Sequence, residues 1–234
     1  MGPVGNGFAG MDCFTRRWRT MTVHLAYRTI RLVCLTTSLP DAITQGRIPP
    51  RETQSIAHIP AEAEAFSFPP LRTPLRFTHI ILAEDCKAVG LPSDSAVPIT
   101  RTTALKDRDY GTWHGQALRD LPSEALSALL QDMDFAPPEG ESQRQFQERV
   151  ALWLALLIRP EEGEAQAQPA AEGTLLPHTL TLLLITRPAV VRAIATHILH
   201  GSPEMAARLD IAPQTRSLFT HHAGLGRVRM LGAP

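Results

Sequence analysis

The chain lacks the patterns that would place it in a membrane, on nucleic acid or around a metal. Its only cysteines are Cys13, Cys34 and Cys86. They show neither metal-ligand nor Cys-x-x-Cys spacing. An odd number argues against a disulfide framework, so a reducing, cytoplasmic setting is expected. Neither sign of charge is in surplus, with 23 Lys and Arg against 23 Asp and Glu. No basic surface for nucleic acid or an anionic membrane is implied. Apolar runs are short; the longest, such as Val150–Ile158, cannot cross a bilayer. No internal repeat is present. The histidines at 114, 178, 197, 200, 221 and 222 share no ligand spacing. His197 and His200 fall at i and i+3 without a visible third ligand, so no metal or other cofactor is expected.

What is present is enough for one substantial core. A chain of 234 residues supports a single domain. Its most ordered stretch is Thr179–His200. Leu180 and Leu182–Ile185 form a short apolar run suited to a strand buried on both faces. Thr186-Arg187-Pro188 follows, and proline fits the first turn of a helix. Val190, Val191, Ile194, Ile198 and Leu199 then recur at helical spacing. Ligands of open α/β sheets sit beyond such strand ends, and helix-start amides favour anions. Arg187 occupies the crest. A cation there opposes the helix dipole unless an anion or a carboxylate faces it, or unless it points into solvent.

Around this stretch the rest of the chain reads as follows. Residues 1–28 are glycine-rich, with a basic cluster at Arg16, Arg17 and Arg19, and are expected to be a flexible extension with Met21 as a rival start. The domain proper is 29–234. Ile30–Leu35 is a first strand ending in Thr36-Thr37-Ser38. Arg51–Ala65, with Ile56, Ile59 and Ala63, is expected to be an irregular helix, and a proline-rich connection follows to Phe77. His79–Ala83 is a strand ending in Glu84-Asp85-Cys86-Lys87, and Ala96–Thr100 is a further strand. Leu105–Gly115 reads as a structured loop. Pro122 opens a helix through Gln131. Ser142 is placed to cap a second helix whose apolar face is Phe146, Val150, Trp153 and Leu157. The composition of 159–178 predicts a mobile surface loop. Pro203–Leu209 is a short helix, and Ser217–Thr220 with Val228–Leu231 form a terminal hairpin. The strands near 30–36, 79–83 and 180–186 should neighbour one another in one mostly parallel sheet covered by helices.

Three segments in this order, DRDYGTWHG at 107–115, PPEGES at 137–142 and LLLITRPAVVRA at 182–193, resemble the histidine phosphatase superfamily, also called phosphoglycerate mutase-like. The resemblance runs from about residue 30 to the C-terminus. It implies a three-layer α/β/α sandwich with a mostly parallel sheet. The family pattern begins with a strand ending in Arg-His-Gly, whose histidine becomes a phosphohistidine. That histidine's position falls on Thr37 and the arginine's on Thr36. A second arginine of the pattern falls near Lys87. The second histidine falls on Arg187, and the general acid falls on Asp107.

A threonine hydroxyl needs a base that imidazole does not. Arginine is neither acid nor base at ordinary pH. The resemblance therefore implies a catalytically degenerate member. Its former phosphate pocket, with Thr37, Lys87 and Arg187 as binding residues, would hold an anionic small molecule or a protein partner. The alternative is an enzyme of different chemistry in the same cleft. There Asp107 would act as acid or base, and Arg187 with Lys87 would hold an anionic substrate. More ordinary roles stand beside these. Asp107 would form a buried ion pair, Asp109 would brace its loop, Trp113 would belong to the core, Lys87 would be solvated, and Cys86 would be a buried structural thiol. Glu141 and Ser142 would serve as helix caps.

Overall fold

The computed structural model describes residues 29–59, 75–90, 97–159 and 179–234. The expected extension over 1–28 and nearly all of the expected loop over 159–178 lie outside the described residues.

Six strands form the main sheet: β1 (Thr29–Thr36), β3 (His79–Ala83), β5 (Ile99–Thr102), β6 (Thr179–Thr186), β7 (Arg216–His222) and β8 (Leu225–Ala233). Their spatial order is β5-β3-β6-β1-β7-β8. The first four run parallel, and β7 and β8 close the edge as an antiparallel hairpin. The central strands are the most apolar. Every residue of β3 and Thr181–Thr186 of β6 are buried, as strands covered on both faces must be. The three strands singled out in the sequence are thus neighbours in a mostly parallel sheet flanked by helices.

After the short helix α1 (Asp41–Thr44) that follows β1, helix α3 (Gln143–Ile158) starts from a reciprocal cap. Ser142 Oγ accepts from the Gln145 N–H, and Gln145 Oε1 accepts from the Ser142 N–H. Phe146, Val150, Trp153 and Leu154 face inward from it, and each is buried. Full burial of such side chains contributes roughly 1.5–3 kcal/mol apiece. Helix α4 (Pro188–Ile198) begins with its proline and buries Val190, Val191, Ile194 and Ile198. A second, smaller core joins Ile48, Trp113 and Leu121 to Leu126 and Leu129 of helix α2 (Ser123–Gln131). Trp113 is therefore core, as expected.

One segment departs from expectation. Arg51–Ala65 is not helical where it is described. Ser55–His58 forms strand β2, which pairs in parallel with β4 (Cys86–Val89) in a separate two-stranded sheet. Helical spacing of Ile56 and Ile59 competes there with a period of two. Ser55 and Ala57 are buried while Ile56 and His58 are exposed, and that alternation is the mark of a strand.

Candidate functional site

Strands β3, β6 and β1 lie side by side and parallel, so their carboxyl ends open at one place. Thr36 of β1 pairs with Thr186 of β6. Thr37 and Arg187 are the next residues of each strand, and the Thr37 N–H donates to Thr186 O at 3.0 Å. Asp85, two residues beyond β3, reaches the same place and is buried. The Asp107 N–H donates to Asp85 Oδ2 at 3.1 Å, which ties the 107–115 loop to these strand ends.

Arg187 is the centre of this arrangement. Its side chain is only 7% exposed, and Nε lies 3.0 Å from Asp85 Oδ2, itself on an 8% exposed side chain. Nη1 is 3.5 Å from Asp107 Oδ2, and Nη2 donates to Thr53 O at 3.2 Å. The carboxylates supply what a cation at a helix N-terminus requires. The pairing with Asp85 is one of charge rather than of a directed hydrogen bond. Arg187 Nε, Thr37 Oγ1 and Ser55 Oγ are all buried without a hydrogen-bond partner. Ser55 adjoins the same place, because its N–H donates to Asp85 O at 3.0 Å.

Burial drives the Asp107 carboxyl above the usual range. Arg187, the Arg108 N–H and Arg192 pull it down, the Asp85 charge adds to the rise, and the net direction is upward. Burial and the Asp107 charge also push the Tyr110 phenol up to about 12. Asp107, Tyr110, His114 and Arg187 line a narrow cleft of about 50 Å³ with Pro49 and Pro50. Its outer wall is the 107–115 loop, which presses backbone against backbone on the 137–142 loop. The Thr112 N–H donates to Pro138 O and the Glu141 N–H to Asp109 O. A Cβ on Gly111 would lie 2.0 Å from Pro138 O, and its φ is +55°. Only glycine fits both requirements.

Asp109 braces this loop as expected. Its Oδ1 accepts from the Gly111 N–H at 2.8 Å and sits 3.0 Å from His114 Nε2, while Oδ2 pairs with Arg51 at 2.8 Å. Burial raises this carboxyl, but the bonds from Gly111 and His114 and the Arg51 charge outweigh it, so it titrates below the usual range. His114 Nδ1 is 2.7 Å from Pro49 O. A carbonyl only accepts, so Nδ1 carries a proton. Arg108 is buried and spent on the carbonyls of Glu141 and Phe135. Ser142 caps α3, whereas Glu141 does not cap but holds Arg149 through two bonds of 2.9 and 2.8 Å.

The structure brings Thr37, Asp107 and Arg187 together and leaves Lys87 out. Strand alternation turns Cys86 inward and Lys87 outward into solvent. The carboxylate two residues earlier, Asp85, takes the place at the strand end. Cys86 is a buried thiol whose pKa burial raises, in keeping with a structural role. Asp85 was visible in the polar run after β3, and its side could be read only once β4 was known to begin at Cys86. His114 and Arg51 carried no spacing signal; loop packing delivers them to the cleft. Among the described residues no group of three His, Cys, Asp or Glu could hold a metal ion. No helix among them is long and apolar enough to cross a membrane.

Known structures share this architecture. The α-ribazole phosphatase from Shigella flexneri superposes with a TM-score of 0.62 at 16% identity, over 87% of this chain and 96% of that one. A mycobacterial glucosyl-3-phosphoglycerate phosphatase gives 0.62 at 18% identity, over 88% and 100%. A phosphoserine phosphatase variant from Entamoeba histolytica, in complex with phosphoserine, gives 0.56 at 14% identity, over 87% and 96%. At these identities the likeness establishes the fold. No curated protein sequence matches the chain significantly. The family model of the histidine phosphatase superfamily (branch 1) matches residues 86–233, a span that takes in Asp107 and Arg187 and leaves Thr37, placed by the β1–β6 register, outside it. The chain belongs to the histidine phosphatase superfamily.

Proposed function

We propose that this chain keeps the fold of its family without the phosphoenzyme chemistry, and that its former phosphate pocket binds an anionic small molecule. The observation that carries this reading is the state of Arg187. It stands where the family pattern has its second histidine and is held by Asp85 and Asp107. Thr37, at the position of the first histidine, has a buried hydroxyl with no partner to deprotonate it. Neither residue supplies a nucleophile ready at neutral pH.

Binding is supported by the unmet polar atoms. Leaving a buried donor or acceptor unpartnered costs about 1–3 kcal/mol, and Thr37, Ser55 and Arg187 each carry one at the same strand ends. Anion oxygens would accept from the two hydroxyls and from Arg187 Nη1, which faces Asp107 in this structure, while Nε stays paired with Asp85. Asp107 holds Arg187 in the closed arrangement and must yield to an anion. Its raised pKa makes protonation the easier way to yield, and a neutral carboxyl then donates to the ligand instead of repelling it. Anion binding is therefore coupled to proton uptake. A second reading has one observation in its favour. A carboxyl kept toward its neutral form in a cleft beside a cation also suits a general acid, so Asp107 would serve an enzyme of different chemistry.

Calorimetric titration with sulfate, which keeps its charge across the range, tests the binding. Affinity should rise as pH falls through the Asp107 transition, and Asp107→Asn should bind at neutral pH as the wild type does in acid. Absence of sulfate binding at every pH in both proteins would overturn the anion reading and leave a protein partner as the pocket's occupant. Ester hydrolysis that disappears in Asp107→Asn would favour the enzyme instead.

A further inference from the structure

Arg51, Lys106, Arg108 and Arg187 all line the cleft, and three of them already have partners. Arg187 is held by Asp85 and Asp107, and Arg51 by Asp109. Arg108 donates to the carbonyls of Glu141 and Phe135 and lies 5.6 Å over the Tyr110 ring. Lys106 is different. It is half-buried, yet among the described residues its ammonium meets no carboxylate and no hydrogen-bond acceptor. Only its backbone is engaged, its N–H on Thr103 O and its carbonyl under Arg149 Nη1. An ammonium is strongly hydrated, and one that has given up water without gaining a partner is a charge that a ligand can complete.

Lys106 also stands beside the anion site. It precedes Asp107 directly, with the two Cα atoms about 3.8 Å apart, and Asp107 is the group that faces Arg187 Nη1. An anion that takes the place of the Asp107 carboxylate therefore lies within the reach of the flexible Lys106 stem. Pro49, Pro50 and Tyr110 add apolar surface to the same narrow wall, which suits a flat anionic group on a short carbon spacer. The flat edge of a guanidinium matches a carboxylate in the same way. Once Asp107 is neutral, the arginines and lysine of the cleft exceed Asp85 and Asp109 by two charges, the complement of a dianion.

We infer that the ligand of this cleft is a short dicarboxylate, with one carboxylate at Arg187 and the other at Lys106, so that Lys106 sets the specificity. The inference rests on the anion-binding reading of the pocket and names the class of anion.

Calorimetry on Asp107→Asn at neutral pH, where propanoate, malonate, succinate and sulfate are all fully charged, tests it. Malonate or succinate should bind about tenfold or more tighter than propanoate, the worth of one further charge-assisted contact. In the same background Lys106→Met should bring that ratio to about one. Lys106→Arg should keep the preference, and Lys106→Glu should reverse it. Thermal melts of each variant distinguish a lost contact from a lost fold. If sulfate binds but neither dicarboxylate binds tighter than propanoate, the anion reading stands and this inference is overturned. A preference that persists unchanged in Lys106→Met and Lys106→Glu overturns it as well. If sulfate and every carboxylate fail to bind, both the pocket's anion reading and this inference fall.

Discussion

Replacing Arg187 by methionine probes the middle of the site. The guanidinium is 7% exposed beside an 8% exposed Asp85, and Asp107 is its second partner. Methionine keeps the length and removes the charge, which leaves two neighbouring carboxylates uncompensated. Removing one partner of a buried ion pair costs about 3–5 kcal/mol. In a domain of this size each kcal/mol moves the melting temperature by roughly 2–4 °C. The melting temperature of Arg187→Met should therefore fall by roughly 6–20 °C. Adding Asp85→Asn and Asp107→Asn should recover most of the loss, since a buried ion cluster exchanged for neutral groups is often close to neutral in stability. Thermal melts of the three proteins at one pH suffice as the assay. A loss of less than about 1 kcal/mol, the range of exposed ion pairs, with no recovery in the combined variant would refute the view that these charges hold one another.

Asp107→Asn alone should stabilise the protein at neutral pH. Folding raises this carboxyl's pKa, so the native state binds the proton more tightly, and stability falls as pH rises through the raised value. Asparagine removes that loss and can still accept from the Arg108 N–H as Asp107 Oδ1 does. The gain should vanish below about pH 4, where the unfolded carboxyl is also protonated; a melting curve with the opposite pH trend would contradict the sign. Gly111→Ala should destabilise by more than about 2 kcal/mol, because a left-handed backbone alone disfavours a side chain by about 1–2 kcal/mol and Pro138 O blocks the Cβ. Denaturant unfolding checks this, and a near-neutral result would mean the two loops part easily. Ser142→Ala should cost about 0.5–2 kcal/mol through loss of the α3 cap, read in the same experiment.

Much of the fold was legible in the sequence because its central strands are plain apolar runs. Leu182–Ile185 and His79–Ala83 are buried on both faces, and such strands announce themselves without alternation. The Ser142 cap and the Phe146, Val150 and Trp153 stripe were equally readable, since both are local patterns. Strand β2 was not. Four residues with two inward-facing small side chains carry little periodicity, and their pairing with β4 is non-local. Lys87 failed for the same reason: a one-residue difference in where β4 begins decides which of Asp85, Cys86 and Lys87 faces the site. Thr37, Asp107 and Arg187 were named from the family resemblance, and the structure sets Thr37 and Arg187 just past neighbouring strands with Asp107 against Arg187. His114 and Arg51 reach the cleft through turns whose geometry no spacing reveals.

The central claim is that the chain forms no phosphoenzyme, and rapid-quench kinetics with p-nitrophenyl phosphate at high enzyme concentration addresses it most directly. Covalent and general acid–base steps each supply orders of magnitude in rate, so a site with Thr37 and Arg187 at its crest should release no stoichiometric burst of nitrophenolate and show no turnover above buffer. A burst equal to the enzyme concentration, lost in Thr37→Ala while the melting temperature stays unchanged, would contradict the account.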